Sequence, residues 1–297
     1  MSIVECVPNF SEGRRPEVVD RIVAELAGAP GVRVIDRSMD PGHNRAVVTF
    51  VGSDREVGEA AFRAIRAAAR EIDLRQHTGE HPRIGATDVV PFVPIADVTL
   101  ERCVEIAHAL GERVARELSI PVYFYEAAAL KPARKNLPDV RNIGFEKLRL
   151  AVAADPERAP DRGPAALHPS AGATVIGARR FLIAFNVNLE TTDVALAKQI
   201  AKQIREKDGG LPGIKAMGFF LDDLQCAQVS MNVCDFERTG LERVFGEIER
   251  LAGERGVAIR ESELVGLSPR AALGPGTAAR VRLRGFDPQR QIVEELL

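Results

Sequence analysis

Apolar positions recur along this chain at two spacings, and the spacing changes at glycine and proline. Residues 3–7 read as a short apolar strand, and Asn9-Phe10-Ser11-Glu12-Gly13 as a polar loop. Pro16 and Glu17 open a helix with Val18, Val19, Ile22, Val23 and Leu26 on one face, ended by Gly28 and Pro30. Strands follow at 32–36 and 46–51, joined by the turn formers Asp40-Pro41-Gly42-His43-Asn44. A helix from about Asp54 carries Val57, Ala61, Ala64, Ile65, Ala68 and Ile72 inward. The apolar run 88–95 holds Pro91 and Pro94. Proline deletes a ladder donor, so an edge or irregular strand is expected there. Helical period returns over 99–118, and 121–125 is a strand. Residues 130–169 have weak period and many prolines and charges, and read as a linker with short helix near 143–150.

The second half opens on a strand at 181–186, then a helix with Thr191 or Thr192 as its cap and Val194, Ala197, Ile200, Ala201 and Ile204 inward. Ile214–Leu221 and 227–233 form a hairpin around Asp222-Asp223, and a helix from about Thr239 follows. Both halves therefore run strand, helix, two strands, helix. The expected fold class is α+β, an α/β sandwich of two similar subdomains. Each is a mixed sheet with helices on one face, with the site in the cleft between them. The expected bounds are 1–178, linker included, and 179–297.

With 297 residues, either one large domain or two of about 150 can bury a core. A net charge of −2 gives no global basic field, so no nucleic-acid partner is expected. The start lacks a basic region followed by a long apolar run, and no stretch approaches the roughly 18 apolar residues of a membrane span. Cys6, Cys103, Cys226 and Cys234 are scattered, which argues against a disulfide framework or cysteine zinc site and fits free thiols in a reducing cytosol.

Three stretches could carry chemistry. Gln76-His77-Thr78-Gly79-Glu80-His81-Pro82-Arg83-Ile84-Gly85 concentrates two histidines, a carboxylate and an arginine in turn-forming sequence. Composition leaves a functional loop and a plain solvated connection both open. It also spells H-x-x-E-H, a zinc pattern that needs both histidines one helical turn apart. Gly79 and Pro82 weigh against that helix. Asp161-Arg162-Gly163-Pro164-Ala165-Ala166-Leu167-His168-Pro169-Ser170-Ala171-Gly172 lacks phosphate-loop spacing, though its glycines would let backbone approach a flat ligand. On residue physics alone a plain interdomain loop is the better reading. In Asp40-Pro41-Gly42-His43-Asn44-Arg45, Arg45 is a candidate for a substrate carboxylate, or simply a surface arginine. His108 and the Glu5-Cys6 pair fit packing roles.

Together these stretches resemble the formiminotransferase-domain family, that of glutamate formimidoyltransferase in folate-linked histidine breakdown. The matching pieces are Val4-Glu5-Cys6-Val7-Pro8-Asn9-Phe10-Ser11-Glu12-Gly13, residues 77–94, Gly172-Ala173-Thr174-Val175-Ile176-Gly177-Ala178-Arg179, residues 181–189, Ala227-Gln228-Val229-Ser230 and Leu264-Val265-Gly266-Leu267. The resemblance is colinear over nearly the whole chain. It implies that His81 is the catalytic acid–base residue. It implies a folate site formed by Gly163, Pro164, Ala165, Ala166, Leu167, His168, Pro169, Ser170, Ala171 and Gly172. It also implies two subdomains forming a cleft, formiminoglutamate and tetrahydrofolate as substrates with no metal, and a cytoplasmic homodimer without a membrane partner. Animal relatives carry a cyclodeaminase domain beyond this point; ending at Leu297, the chain resembles the stand-alone bacterial form. Asp40, Arg45, Glu80 and Arg83 are supporting or substrate-binding candidates.

Two departures stand out. Ser38 occupies the position of an aspartate in animal members, where Asp40 could substitute. His168 has no clear counterpart. Rival expectations are formyl transfer from N-formylglutamate on the same fold, a zinc hydrolase using His77, Glu80 and His81, and folate binding without catalysis.

Overall fold

The computed structural model describes residues 2–79 and 82–296, so Glu80 and His81 lie outside the described residues. The chain divides into two compact units, Met1–Arg179 and Arg180–Leu297.

In the first unit the elements run β1 (Ile3–Cys6), β2 (Asn9–Phe10), α1 (Pro16–Ala27), β3 (Arg33–Asp40), β4 (Arg45–Gly52), α2 (Val57–Glu71) and β5 (Thr87–Ala96). They continue as α3 (Leu100–Leu118), β6 (Val122–Glu126), α4 (Leu137–Arg141), α5 (Gly144–Ala151) and β7 (Thr174–Ala178). β1 and β2 share one lane of the sheet, each pairing antiparallel with β4 on one side and β5 on the other. The lateral order is β3, β4, β1/β2, β5, β7, β6, with β7 parallel to both neighbours. A parallel pair requires a crossover, and α3 supplies the one from β5 to β6. α1 to α3 pack side by side, and the core joins Val18, Val19, Ile22, Ile65 and Val114 to Phe50, Phe92 and Phe124 from the strands. Each such fully buried side chain contributes roughly 1.5–3 kcal/mol.

β5 is a central strand, which corrects the edge position that its prolines allowed. It is irregular, as they also allowed: its pairing shifts register against β1 at Ile3/Val4 and against β2 at Asn9/Phe10. Pro91 sits where the neighbouring lane is broken at Val7-Pro8: its carbonyl accepts from the Val7 N–H at 3.3 Å. A strand residue turns its N and C=O to the same neighbour, so the missing N–H of Pro91 faces that break. The polar loop expected at 9–13 instead begins with strand β2, and Asn9, Phe10, Ser11 and Glu12 are buried. The stretch 130–169 is no free linker. Val140, Phe145 and Leu148 belong to the core, and Arg134 and Asp161 form a buried ion pair at 2.6 Å.

The second unit runs β8 (Ile183–Leu189), α6 (Val194–Ile204), β9 (Ile214–Leu221), β10 (Cys226–Val233), α7 (Leu241–Gly253) and β11 (Ile259–Val265). Its sheet order is β11, β8, β10, β9, antiparallel throughout, so mixed pairing belongs to the first unit alone. The cap of α6 is Asp193, whose carboxylate accepts from the N–H groups of Ala195 and Leu196, and not Thr191 or Thr192. This is a β-α-β-β-α-β unit in split order. The first unit repeats it: β1/β2, α1, β3, β4, α2, β5 have the same lateral order and the same antiparallel neighbours, extended by β7 and β6. The shared order of the two halves is thus a repeated fold. Among the described residues no helix is long and apolar enough to cross a membrane.

Candidate active site

The turn between β3 and β4 and the loop after α2 meet through one side chain. Asn44, held at φ +50°, accepts the Gly13 N–H on Oδ1 at 2.8 Å and donates from Nδ2 to the Thr78 carbonyl at 2.9 Å. Asparagine is among the few residues that tolerate this left-handed backbone. The Asn44 carbonyl in turn accepts from His77 Nε2 at 3.0 Å. Three segments distant in sequence are thereby tied together. Beside them Glu12 receives the N–H groups of Arg14 and Arg15 and the Arg15 guanidinium. Burial pushes the Glu12 carboxyl up, but these donors outweigh it and leave it below its ordinary value.

A small cavity opens among these segments, with room for about one water molecule. Phe10 and His43 line it together with Ser11, Asn44, Arg45, His77, Arg83 and Asp88. Asp88 is buried. Its Oδ1 accepts the Ile84 N–H at 2.8 Å and its Oδ2 pairs with Arg141 at 2.9 Å. Burial, then the neighbouring Arg141, lowers Arg45 to about 10, against a partial offset from Asp88. Arg83 donates to the His77 carbonyl and to Glu146, both at 2.9 Å. Its Nε is buried without a hydrogen-bond partner among the described residues. Burial also lowers His77, opposed by its bond to Asn44 and helped by Arg83. Guanidinium groups are suited to pairing with an anion such as a substrate carboxylate, although the cavity as it stands has room for about one water and not for a carboxylate.

Among the expected site residues, Arg45 and Arg83 are brought together at this cavity. Glu80 and His81 lie outside the described residues, but His77 and Arg83, on either side of them, both line it. Asp40, at the exposed end of β3, does not itself line the cavity; its carboxylate accepts the His43 N–H at 2.9 Å and pairs at 2.7 Å with Nδ1 of His43, which does line it. These bonds hold the Asp40 carboxyl below its ordinary value. Ser38 is exposed on β3 opposite Val47. Asp88 and Arg141 were missed in the sequence. They are 53 positions apart, and Arg141 ends a helix of five residues inside the presumed linker.

Residues 163–172 do not line the cavity. Gly163, Pro164, Ala165 and Ala166 are exposed, and His168 closes a turn with Gly172 through paired backbone bonds at 3.0 Å. The end of the segment runs against the stretch that follows the His81 loop. Ala86 N–H donates to the Ala171 carbonyl and Ala173 N–H to the Ile84 carbonyl, both at 2.9 Å. The zinc pattern lacks its structural premise, because residues 77–79 are not helical. Among the described residues there is no cluster of three potential metal ligands. In the second unit the expected motif residues Asn186, Asn188 and Gln228 share a network with Glu261 and Glu263 of β11, two carboxylates the sequence pattern did not single out.

Comparison with known proteins bears on all of these segments at once. The family profile described as Formiminotransferase domain, N-terminal subdomain, matches residues 3–179, and that described as Formiminotransferase domain matches residues 184–284. The chain is 46% identical to glutamate formimidoyltransferase of Streptococcus pyogenes serotype M1, over 99% of this chain and 98% of that protein. It is 47% identical to the Thermoplasma acidophilum protein of the same name, over 97% and 95%. It is 48% identical to formimidoyltransferase-cyclodeaminase of Sus scrofa over 91% of this chain, which spans 51% of that longer protein. The boundary between the two matched profiles falls where the fold divides, and both units are covered. The chain therefore belongs to the formiminotransferase-domain family.

Proposed function

We propose that this chain transfers a formimino group from N-formimino-L-glutamate to N5 of tetrahydrofolate, giving 5-formiminotetrahydrofolate and glutamate, with His81 as the acid–base residue. The observation that carries the reading is the cluster of charged side chains around the small cavity. Arg45 and Arg83 line it, the Asp88–Arg141 pair backs it, and the described ends of the His81 loop reach it. In this reading Arg45 and Arg83 hold donor carboxylates, with Glu80 and Asp40 in support, and Gly163 to Gly172 contribute to folate binding. No metal takes part. The identity to two glutamate formimidoyltransferases over nearly the whole chain supports the same assignment.

The donor's amidine carbon is electrophilic, more so when protonated. N5 attacks it, and the resulting tetrahedral adduct must lose the N5 proton and gain one on the departing glutamate nitrogen. A single group whose pKa lies near working pH can do both, and an unperturbed histidine, at about 6.5, meets that condition. Such acid–base help is worth roughly 10²–10⁴ in rate. The reading extends to a cytoplasmic homodimer serving histidine degradation. Purified protein given formiminoglutamate should form product only when tetrahydrofolate is present. Folate-independent release of glutamate would instead point to a hydrolase.

A further inference from the structure

His77 is fixed in one tautomer. A carbonyl can only accept, so the 3.0 Å contact with the Asn44 carbonyl requires the proton on Nε2. In the neutral ring Nδ1 is then an acceptor only. That atom is buried and has no hydrogen-bond partner among the described residues. Burial, and then the nearby Arg83 and Arg14 charges, disfavour the protonated ring, against the pull of its Asn44 bond and of Glu12. Unpaired buried acceptors are uncommon and call for an explanation.

The cavity that His77 lines admits about one heavy atom and its hydrogens. The two candidate donors differ at one such atom: a formimino group ends in a nitrogen bearing N–H, a formyl group in an oxygen that only accepts. Arg45 and Arg83 present N–H donors only, which suit an oxygen of either ligand, so they cannot favour the formimino nitrogen. We infer that His77 is the donor-selecting residue, its Nδ1 accepting an N–H from the terminal nitrogen of the formimino group and opposing the formyl oxygen. This rests on the formimino-transfer reading above.

Two substitutions separate the ring's two nitrogens. His77→Gln can keep a donor for the Asn44 carbonyl while losing the Nδ1 acceptor; His77→Asn can keep an acceptor near Nδ1 while losing the contact with Asn44. Calorimetric Kd values for N-formimino-L-glutamate and N-formyl-L-glutamate are compared across wild type and both variants. Wild type should prefer the formimino ligand by at least about tenfold. His77→Gln should cut that preference by about tenfold through weaker formimino binding, and His77→Asn should largely retain it. An unchanged preference in His77→Gln, an equal loss for both ligands, or no preference in the wild type would overturn the inference. A wild type that selects formiminoglutamate yet transfers nothing to tetrahydrofolate would overturn only the proposed function.

Discussion

Burial, with Arg141 as a neighbouring cation, lowers Arg45 to about 10 against a partial offset from Asp88. If it holds a substrate carboxylate, binding weakens as pH rises through about 10, where its proton is lost, and not near the usual 12.5. Titration with N-acetyl-L-glutamate, a stable dicarboxylate probe, should show Kd rising between about pH 9 and pH 11. A flat profile would put the carboxylate elsewhere. Replacing Arg45 or Arg83 by methionine should raise KM for formiminoglutamate by about tenfold or more, with a smaller fall in kcat. A loss confined to kcat would mean that the guanidinium acts only in the transition state. At this scale the site was partly legible. Arg45, His77 and Arg83 sit in short polar runs that draw the eye. Asp88 is hidden in an apolar strand, and its partner Arg141 is reached only through the tertiary fold.

Two glycines show what the elements demand. Gly85 and Gly172 form a bridge where the stretch after the His81 loop meets the end of the 163–172 segment. A Cβ on Gly85 would come within 1.9 Å of the Ala173 carbonyl oxygen, and one on Gly172, at φ +70°, within 2.2 Å of the Ile84 oxygen. Both obstacles are backbone, so Gly85→Ala and Gly172→Ala should each cost at least about 2 kcal/mol, read as a lower urea midpoint. A midpoint within error of wild type would show that the two segments need not meet so closely. The amphipathic helices α1, α2, α3, α6 and α7 were legible from their 3.6-residue period, because each buries one face only. Strand β7 was not, since all five of its residues are buried and nothing alternates. The irregularity of β5 was legible from its prolines, but its central position was not, because the donor gap of Pro91 falls on a neighbour's interruption, which no local rule reveals. β11 was masked by its charges, Arg260, Glu261 and Glu263.

For the molecule as a whole, the same split β-α-β order appears twice, once extended by two parallel strands that bring residues 172–178 beside β5. That repeat is visible in sequence only as an order of elements, because packing constrains the pattern of apolar positions and not their identity. Activity belongs to this scale, since the matched family profiles cover both units. The most direct test follows 5-formiminotetrahydrofolate formation from N-formimino-L-glutamate and tetrahydrofolate by wild type and His81→Ala, each checked for an unchanged melting transition. Wild type should turn over, and His81→Ala should lose at least about 10² in kcat while staying folded. Turnover by the variant near the wild-type rate, or none by the wild type, would contradict the account.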